Sequence, residues 1–531
     1  MLGPPKARRV DRPVLASLEA LVPPDNFYRH LARVLDLSFV RDLVRDHYPT
    51  SGRPSLDPVV FFQLQLILFF EGLRSERQLL AMASLHLAHR WYLGYALDEP
   101  LPDHSTLSRI RQRLGLDVFR CFFDHVVERC REAGLVWGRE LYIDATKVEA
   151  DAAVDSLRPR FFVEAHLQRL FQTVTTDVAT GGGANAETDT ASGAVPHASP
   201  DTASPLPTLL QTAMTPKVAA DVAMGNAKRH DWIVQEGRPD RTVTHGHYQR
   251  LADLAVSTTD PDATLMQTGG GARLGYQTHY VVDGGKARII LQALVTPAEV
   301  MENQPALDLV WRTCFRWDLR PRHVAGDTKY GTVENVAALE RAGIRAYFPL
   351  KDWGLRTAYY GPRDFVYDAA RDVYVCPQGQ ALSREGALYA ERIIRYRAPA
   401  AVCNACPAKA ACTPGRLGRV VHRSFDEAFL DRVRAYHATA AYLKAMRKRS
   451  VWVEPMFGEA KQWHGLRRCR LRGLPKVNTQ ALLTATGQNL KRLLRDRGWG
   501  RRPWPGCPAQ ALRLRRRQGP RTGAEAPHYS W

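Results

Sequence analysis

Leu141-Tyr-Ile-Asp-Ala-Thr146 is the stretch that decides how this chain is read: a short apolar run, legible as a buried strand, closes on a carboxylate. The same design returns at His323-Val-Ala-Gly-Asp-Thr-Lys-Tyr330, where Asp327 closes a second apolar run. A third acid, Glu454 in Val453-Glu-Pro-Met-Phe-Gly458, stands in the most basic part of the protein. Carboxylates at strand ends, gathered by a fold, are one way to hold a pair of Mg²⁺ ions for phosphodiester chemistry.

Outward from these acids the texture alternates. Strands are predicted over 141–143, 277–282 and 287–295, followed by an amphipathic helix over 306–315. A strand over 323–325, a helix over 333–342 and a strand over 345–348 complete the run. The order βββαβαβ is that of an RNase H-like mixed sheet with helices on both faces. Upstream, residues 14–135 read as all-helical. Asp57-Pro58 caps a long apolar helix that runs to about Phe70, and Gly72 ends it. Ser75-Glu-Arg-Gln78 has the form of a capping box, and Asp103 caps a further helix. In that helix Leu107, Ile110 and Leu114 share one face while Arg109, Arg111 and Arg113 point elsewhere. The pair is either a helix-turn-helix with its arginines in a DNA groove or a plain bundle with a basic face.

The fold class that emerges is multidomain α+β. A helical N-terminal DNA-binding domain is expected over 1–137 and the first part of the catalytic core over 138–350. A Cys-containing β-rich insertion follows over 351–423, the last core helices with Glu454 over 424–497, and a basic tail over 498–531. Residues 174–206, rich in Gly, Ala, Ser, Thr and Pro, predict a disordered loop because they carry little surface to bury.

Charge points to a polyanionic partner: 74 Lys and Arg against 54 Asp and Glu give +20. The excess is concentrated. Between Lys444 and Arg521 there are 21 basic residues and only Glu454, Glu459 and Asp496 to oppose them. Nine cysteines, an odd number, and an opening Met-Leu-Gly-Pro-Pro-Lys without an apolar signal region predict a cytoplasmic protein. The longest apolar run, Val59 to Phe70, is too short to span a bilayer, so no membrane partner is expected.

In order and spacing the motifs resemble those of the DDE transposases of bacterial insertion sequences, the subgroup with a helical N-terminal domain and an interrupted RNase H-like catalytic domain. The resemblance covers roughly residues 10–495. It rests on Gly52-Arg-Pro-Ser-Leu-Asp-Pro58, Pro102-Asp-His-Ser-Thr-Leu-Ser-Arg109 and Asp144-Ala-Thr-Lys-Val-Glu-Ala-Asp-Ala152. Ser257-Thr-Thr-Asp-Pro-Asp-Ala263, Gly275-Tyr-Gln-Thr-His-Tyr280, Gly326-Asp-Thr-Lys-Tyr-Gly331 and Val453-Glu-Pro-Met-Phe-Gly-Glu-Ala-Lys461 complete it. Around the last acid, Glu454 and Lys461 keep the family's seven-residue step, while Arg449 stands one residue further upstream than usual and Tyr442 is a loose match.

The resemblance implies a DNA transposase that cleaves at the inverted repeats of its own element and joins the ends to target DNA. The partner is then double-stranded DNA, with a dimer assembled on it, in the bacterial cytoplasm near the nucleoid. Asp144, Asp327 and Glu454 would ligate two Mg²⁺ or Mn²⁺ ions; hard oxygen ligands suit these ions. A metal-dependent nuclease without strand transfer, or an inactive DNA-binding protein, are the alternatives. Glu454 is preferred over Glu459 because Pro455 places it at a helix start, with Lys461 two turns along the same face. Lys461 is a candidate phosphate contact, Arg449 and Tyr330 are candidates for positioning DNA, and Trp452 and Trp463 are either base-stacking or core aromatics. Finally, Cys376, Cys403, Cys406 and Cys412 include a CxxC pair and are candidates for a structural Zn²⁺ site.

Overall fold

A computed structural model of the chain describes residues 13–500 except 14, 50, 53–54, 160–254 and 352–357. The loop expected over 174–206 and the tail from 501 onward lie outside the described residues.

The N-terminal part is helical, as its caps require. Short helices α1 (Leu18–Leu21), α2 (Phe27–Val34) and α3 (Phe39–Val44) precede α4 (Pro58–Phe70), whose N-cap Asp57 accepts the Val59 N–H. Ser75 caps α5 (Glu76–Leu85), α6 (Leu87–Leu93) follows, and Asp103 caps α7 (His104–Glu132). The long α7 is broken at Gly115, whose φ of +67° suits glycine.

The central sheet is mixed. Its middle strand β1 (Glu140–Glu149) lies antiparallel to β5 (Gly271–Asp283) and parallel to β7 (His323–Ala325), with β8 (Arg345–Tyr347) parallel beyond β7. The 13-residue β5 carries β4 (Thr264–Thr268) along its first half and β6 (Ile290–Pro297) along its second. Strand β4 and a small antiparallel pair, β2 (Leu157–Pro159) with β3 (Ala255–Ser257), are additions to the predicted order. Burial is continuous through Leu141, Tyr142 and Ile143, so both faces of the sheet are covered. One expectation is corrected here: β1 runs on to Glu149, so Asp144 lies in mid-strand rather than at its end, because pairing with β5 continues past it.

Helix α8 (Ala306–Trp317) connects β6 to β7, and α9 (Val333–Arg341) connects β7 to β8. A second sheet, of five antiparallel strands, follows. Its strands are β9 (Val366–Asp368), β10 (Val373–Val375), β11 (Ala381–Leu388), β12 (Ile393–Arg397) and β13 (Val420–Ser424), joined in sequence order. Two short helices, α10 (Ala400–Asn404) and α11 (Lys409–Cys412), sit between β12 and β13.

Four helices close the fold: α12 (Glu427–Tyr436), α13 (Ala440–Trp452), α14 (Glu454–Trp463) and α15 (Leu474–Asp496). Helix α15 is buried along most of Val477–Leu494 because it packs against both α7 and β6. Through it a single hydrophobic core extends from Val22 and Leu31 in the N-terminal helices to Ile143, Val281 and Val324 in the sheet. Among the described residues no helix is long and apolar enough to cross a membrane.

Candidate active site

Register brings the two aspartates together. Tyr142 on β1 pairs with Ala325 on the parallel β7, so Asp327, two residues beyond, arrives alongside Asp144, two residues beyond Tyr142. Gly326 makes the turn, where a Cβ would stand 2.7 Å from the Tyr330 ring. Asp327 then caps a single 3₁₀ turn, its Oδ1 accepting the Lys329 N–H at 2.8 Å.

Glu454 reaches the same place from the far end of the chain. Asp144 is paired with Tyr280 on β5, and opposed residues in a ladder share a face. The Tyr280 ring stacks on Phe457 of α14, centroids 4.6 Å apart, which seats the start of that helix over Asp144. Pro455 occupies the first turn, where its missing N–H costs nothing. One guanidinium joins the two acids: Arg449 donates to Asp144 Oδ2 at 3.1 Å and to Glu454 Oε1 at 3.0 Å.

Asp144 is the strained member. Burial pushes its carboxyl up to about 6, Arg449 and the Ala145 N–H pull it back, and the charges of Asp327 and Glu302 add to the rise. Glu302, a buried residue between β6 and α8, was not legible as a site residue because no local motif surrounds it. It accepts from Lys329 Nζ at 2.6 Å. Burial works against that ammonium, but Glu302, Asp327 and Asp144 hold its pKa above the ordinary range. Lys329 lies within the Gly-Asp-Thr-Lys-Tyr motif, so the sequence itself carried a signal for it.

Other expected residues divide by exposure. Tyr330 is fully buried with its hydroxyl unpartnered among the described residues, which removes it from direct DNA contact and leaves it a packing residue behind Asp327. Arg111 is likewise turned inward, paired with Glu76 across the helices, because its position on α7 falls against α5; Arg109 is exposed. Lys461 is half-buried; burial and Arg467 lower its pKa while Glu149 opposes them. Glu459 points away from the acids into a network with Lys491, Gln488, Arg492 and His464. Trp463 is exposed, and Lys448 Nζ lies 4.3 Å above the Trp452 ring. The four candidate zinc cysteines line one cavity beside the five-stranded sheet.

Hard carboxylate oxygens and the like-charge crowding at Asp144 fit a divalent cation. Among the described residues, however, no three His, Cys, Asp or Glu side chains are drawn into a group that could hold a metal, and Arg449 fills the interval between Asp144 and Glu454.

Two families of known proteins match parts of the chain. A family described as "Transposase domain (DUF772)" matches residues 16–113, and one described as "Transposase DDE domain" matches residues 375–494. The second span holds Arg449, Glu454 and Lys461, whereas Asp144 and Asp327 fall outside both. In chain order the two matches support a DDE transposase of an insertion sequence. No curated protein and no solved structure matches the chain.

Proposed function

We propose that the protein cleaves DNA at the ends of its own mobile element and joins those ends to target DNA, with Asp144, Asp327 and Glu454 as the catalytic carboxylates. The observation that carries this reading is the convergence of Asp144 in β1 and Asp327 just beyond the parallel neighbour β7, with Glu454 tied to Asp144 through Arg449. The strand order β6-β5-β1-β7-β8, antiparallel on one side of β1 and parallel on the other, supports an RNase H-like core.

Asp144, Asp327 and Glu454 are the residues that would hold Mg²⁺ or Mn²⁺. Such ions, when bound, activate the attacking hydroxyl and offset charge on the leaving 3′-oxygen. The protein's own part is positional. The rigid β1–β7 pairing fixes two acids, α14 brings the third, and buried Glu302 holds Lys329 at their edge. Arg449 neutralises the acids in the free protein and is long enough to turn to a DNA phosphate. Lys461 and exposed Arg467 continue the cationic surface along the duplex, with Arg468 and Arg472 held beside them on Asp151.

The test is a plasmid carrying the gene with its native flanks, incubated with protein and Mg²⁺ or Mn²⁺. Cuts at the flanking repeats and joined products are expected with wild type and neither with Asp327→Asn. Cuts without joined products would instead favour a nuclease. Retention of DNA without any cut in either protein would overturn the catalytic reading.

A further inference from the structure

The five-stranded sheet has little apolar material with which to hold itself together. Its own core consists of Phe365, Tyr374, Leu382, Tyr396, Ala398 and Val421. A sheet of five strands on so small a core ordinarily needs a covalent or metal staple. At one end of this sheet Cys376, Cys403, Cys406 and Cys412, from three separate segments, surround one cavity of about 30 Å³. None of the residues lining it is Asp, Glu or His.

Two of the sulfurs are already prepared for negative charge. In the turn Cys376-Pro-Gln-Gly379 the Gln380 N–H donates to Cys376 Sγ at 3.3 Å, and Gly379 takes the positive φ (+74°) that closes the turn. The Cys403-Asn-Ala-Cys406 turn is closed by the Cys406 N–H on Cys403 O, and the Arg419 N–H donates to Cys403 Sγ at 3.4 Å. Backbone N–H groups aimed at sulfur favour the thiolate over the thiol and orient it as a ligand. The Arg419 guanidinium is anchored on the Cys412 and Tyr360 carbonyls at 2.9 and 2.7 Å, and Lys409 lines the same cavity. Cationic side chains therefore stand where four thiolates would concentrate charge.

We infer that Cys376, Cys403, Cys406 and Cys412 form a structural tetrathiolate Zn²⁺ site that holds this part of the chain together. In the present structure the sulfurs ring the cavity without meeting at coordination distance. Binding draws them in to Zn–S distances of about 2.3 Å. One Zn²⁺ displaces four thiol protons to solvent, and the ZnS₄ unit carries a net charge of −2 that Arg419 and Lys409 offset. No oxidation state changes. The site is independent of the catalytic carboxylates, so neither reading stands or falls with the other.

The experiment measures zinc by mass spectrometry in the full chain, purified without chelator from zinc-supplemented medium. One equivalent per chain is expected for wild type and for the control Cys121→Ser, with at least a fivefold loss in Cys403→Ser and Cys406→Ser. Wild type reconstituted with Co²⁺ should show the visible bands and sulfur charge-transfer absorption of a tetrahedral thiolate site. That second measurement decides the matter even if the serine variants fail to fold. Alkylation mapped by peptide should spare Cys376, Cys403, Cys406 and Cys412 until the metal is removed, as it spares the buried Cys130 and Cys469 throughout. Wild type lacking zinc with all four thiols freely alkylated, a cobalt spectrum without thiolate bands, or a mass deficit from disulfides among these cysteines would overturn the site.

Discussion

Asp144 is buried beside two other acids, and its behaviour can be checked without any DNA. Its folded carboxyl binds a proton more tightly than in the unfolded chain, so the charged form costs stability. That cost is absent below the ordinary aspartate range and complete above about pH 6. Asp144→Asn should therefore raise the melting temperature of the free protein at pH 7.5, by a stability gain on the order of 2 kcal/mol. The difference should vanish near pH 4. Mg²⁺ should stabilise wild type and leave the variant almost unmoved in the same thermal scans. Glu302 is expected to act through Lys329: Glu302→Gln should lower the rate of cleavage about tenfold or more while DNA retention at low salt changes little. Equal loss of both would mark Glu302 as purely structural.

At the scale of elements, the edge of the central sheet is held in an unusual way. Strand β6 pairs with β5 on one side, and two asparagines of α15 serve its other side. Asn489 exchanges hydrogen bonds with the Ile290 N–H and C=O at 2.9 and 2.8 Å, and Asn478 does the same with Val295 at 2.8 and 3.0 Å. The spacing matches because eleven helical residues and five strand residues both span about 16 Å. Asn489→Ala should destabilise the protein by about 2–4 kcal/mol in denaturant unfolding, since two buried backbone groups lose their partners. On β5, burial drives His279 down to about 4. The unfolded chain then binds the extra proton, so its contribution is complete above pH 6.5 and is lost as pH falls toward 4. His279→Gln should flatten the melting-temperature curve over that interval.

Much at this scale was legible beforehand. The caps at Asp57, Ser75 and Asp103, the strand His323–Ala325 and the helix starting at Val333 follow from local residues alone. Strand β4 was not legible, because Thr264-Leu-Met-Gln-Thr268 is strand only by pairing with β5. Nor was the inward turn of Arg111, since the sequence shows its spacing on α7 but not that Glu76 lies opposite.

The whole molecule hangs on α15, which joins the N-terminal helices to the sheet. At Gly487 the helix approaches α4 so closely that a Cβ would stand 2.4 Å from the Phe69 ring. Gly487→Ala should cost about 1–3 kcal/mol by overpacking, read as a lowered midpoint in denaturant, despite the better helix propensity of alanine. The charge acts at the same scale. With 21 basic residues between 444 and 521, DNA affinity should fall steeply with salt, and each phosphate that a variant no longer neutralises should reduce the log–log slope by about 0.9. Lys461→Ala is expected to show one such step in titrations at several salt concentrations.

The sequence by itself determined the mixed α+β class, the concentrated positive charge and the motif order that resembles transposases. Those properties live in short-range patterns: apolar runs, caps, charge density and motif order. Only the tertiary structure decided that Arg449 bridges Asp144 and Glu454, that Glu302 and Lys329 stand at their edge, and that Tyr330 and Arg111 face inward. These depend on strand register and on which helix face meets the sheet, relations between residues far apart in the chain that no local pattern encodes.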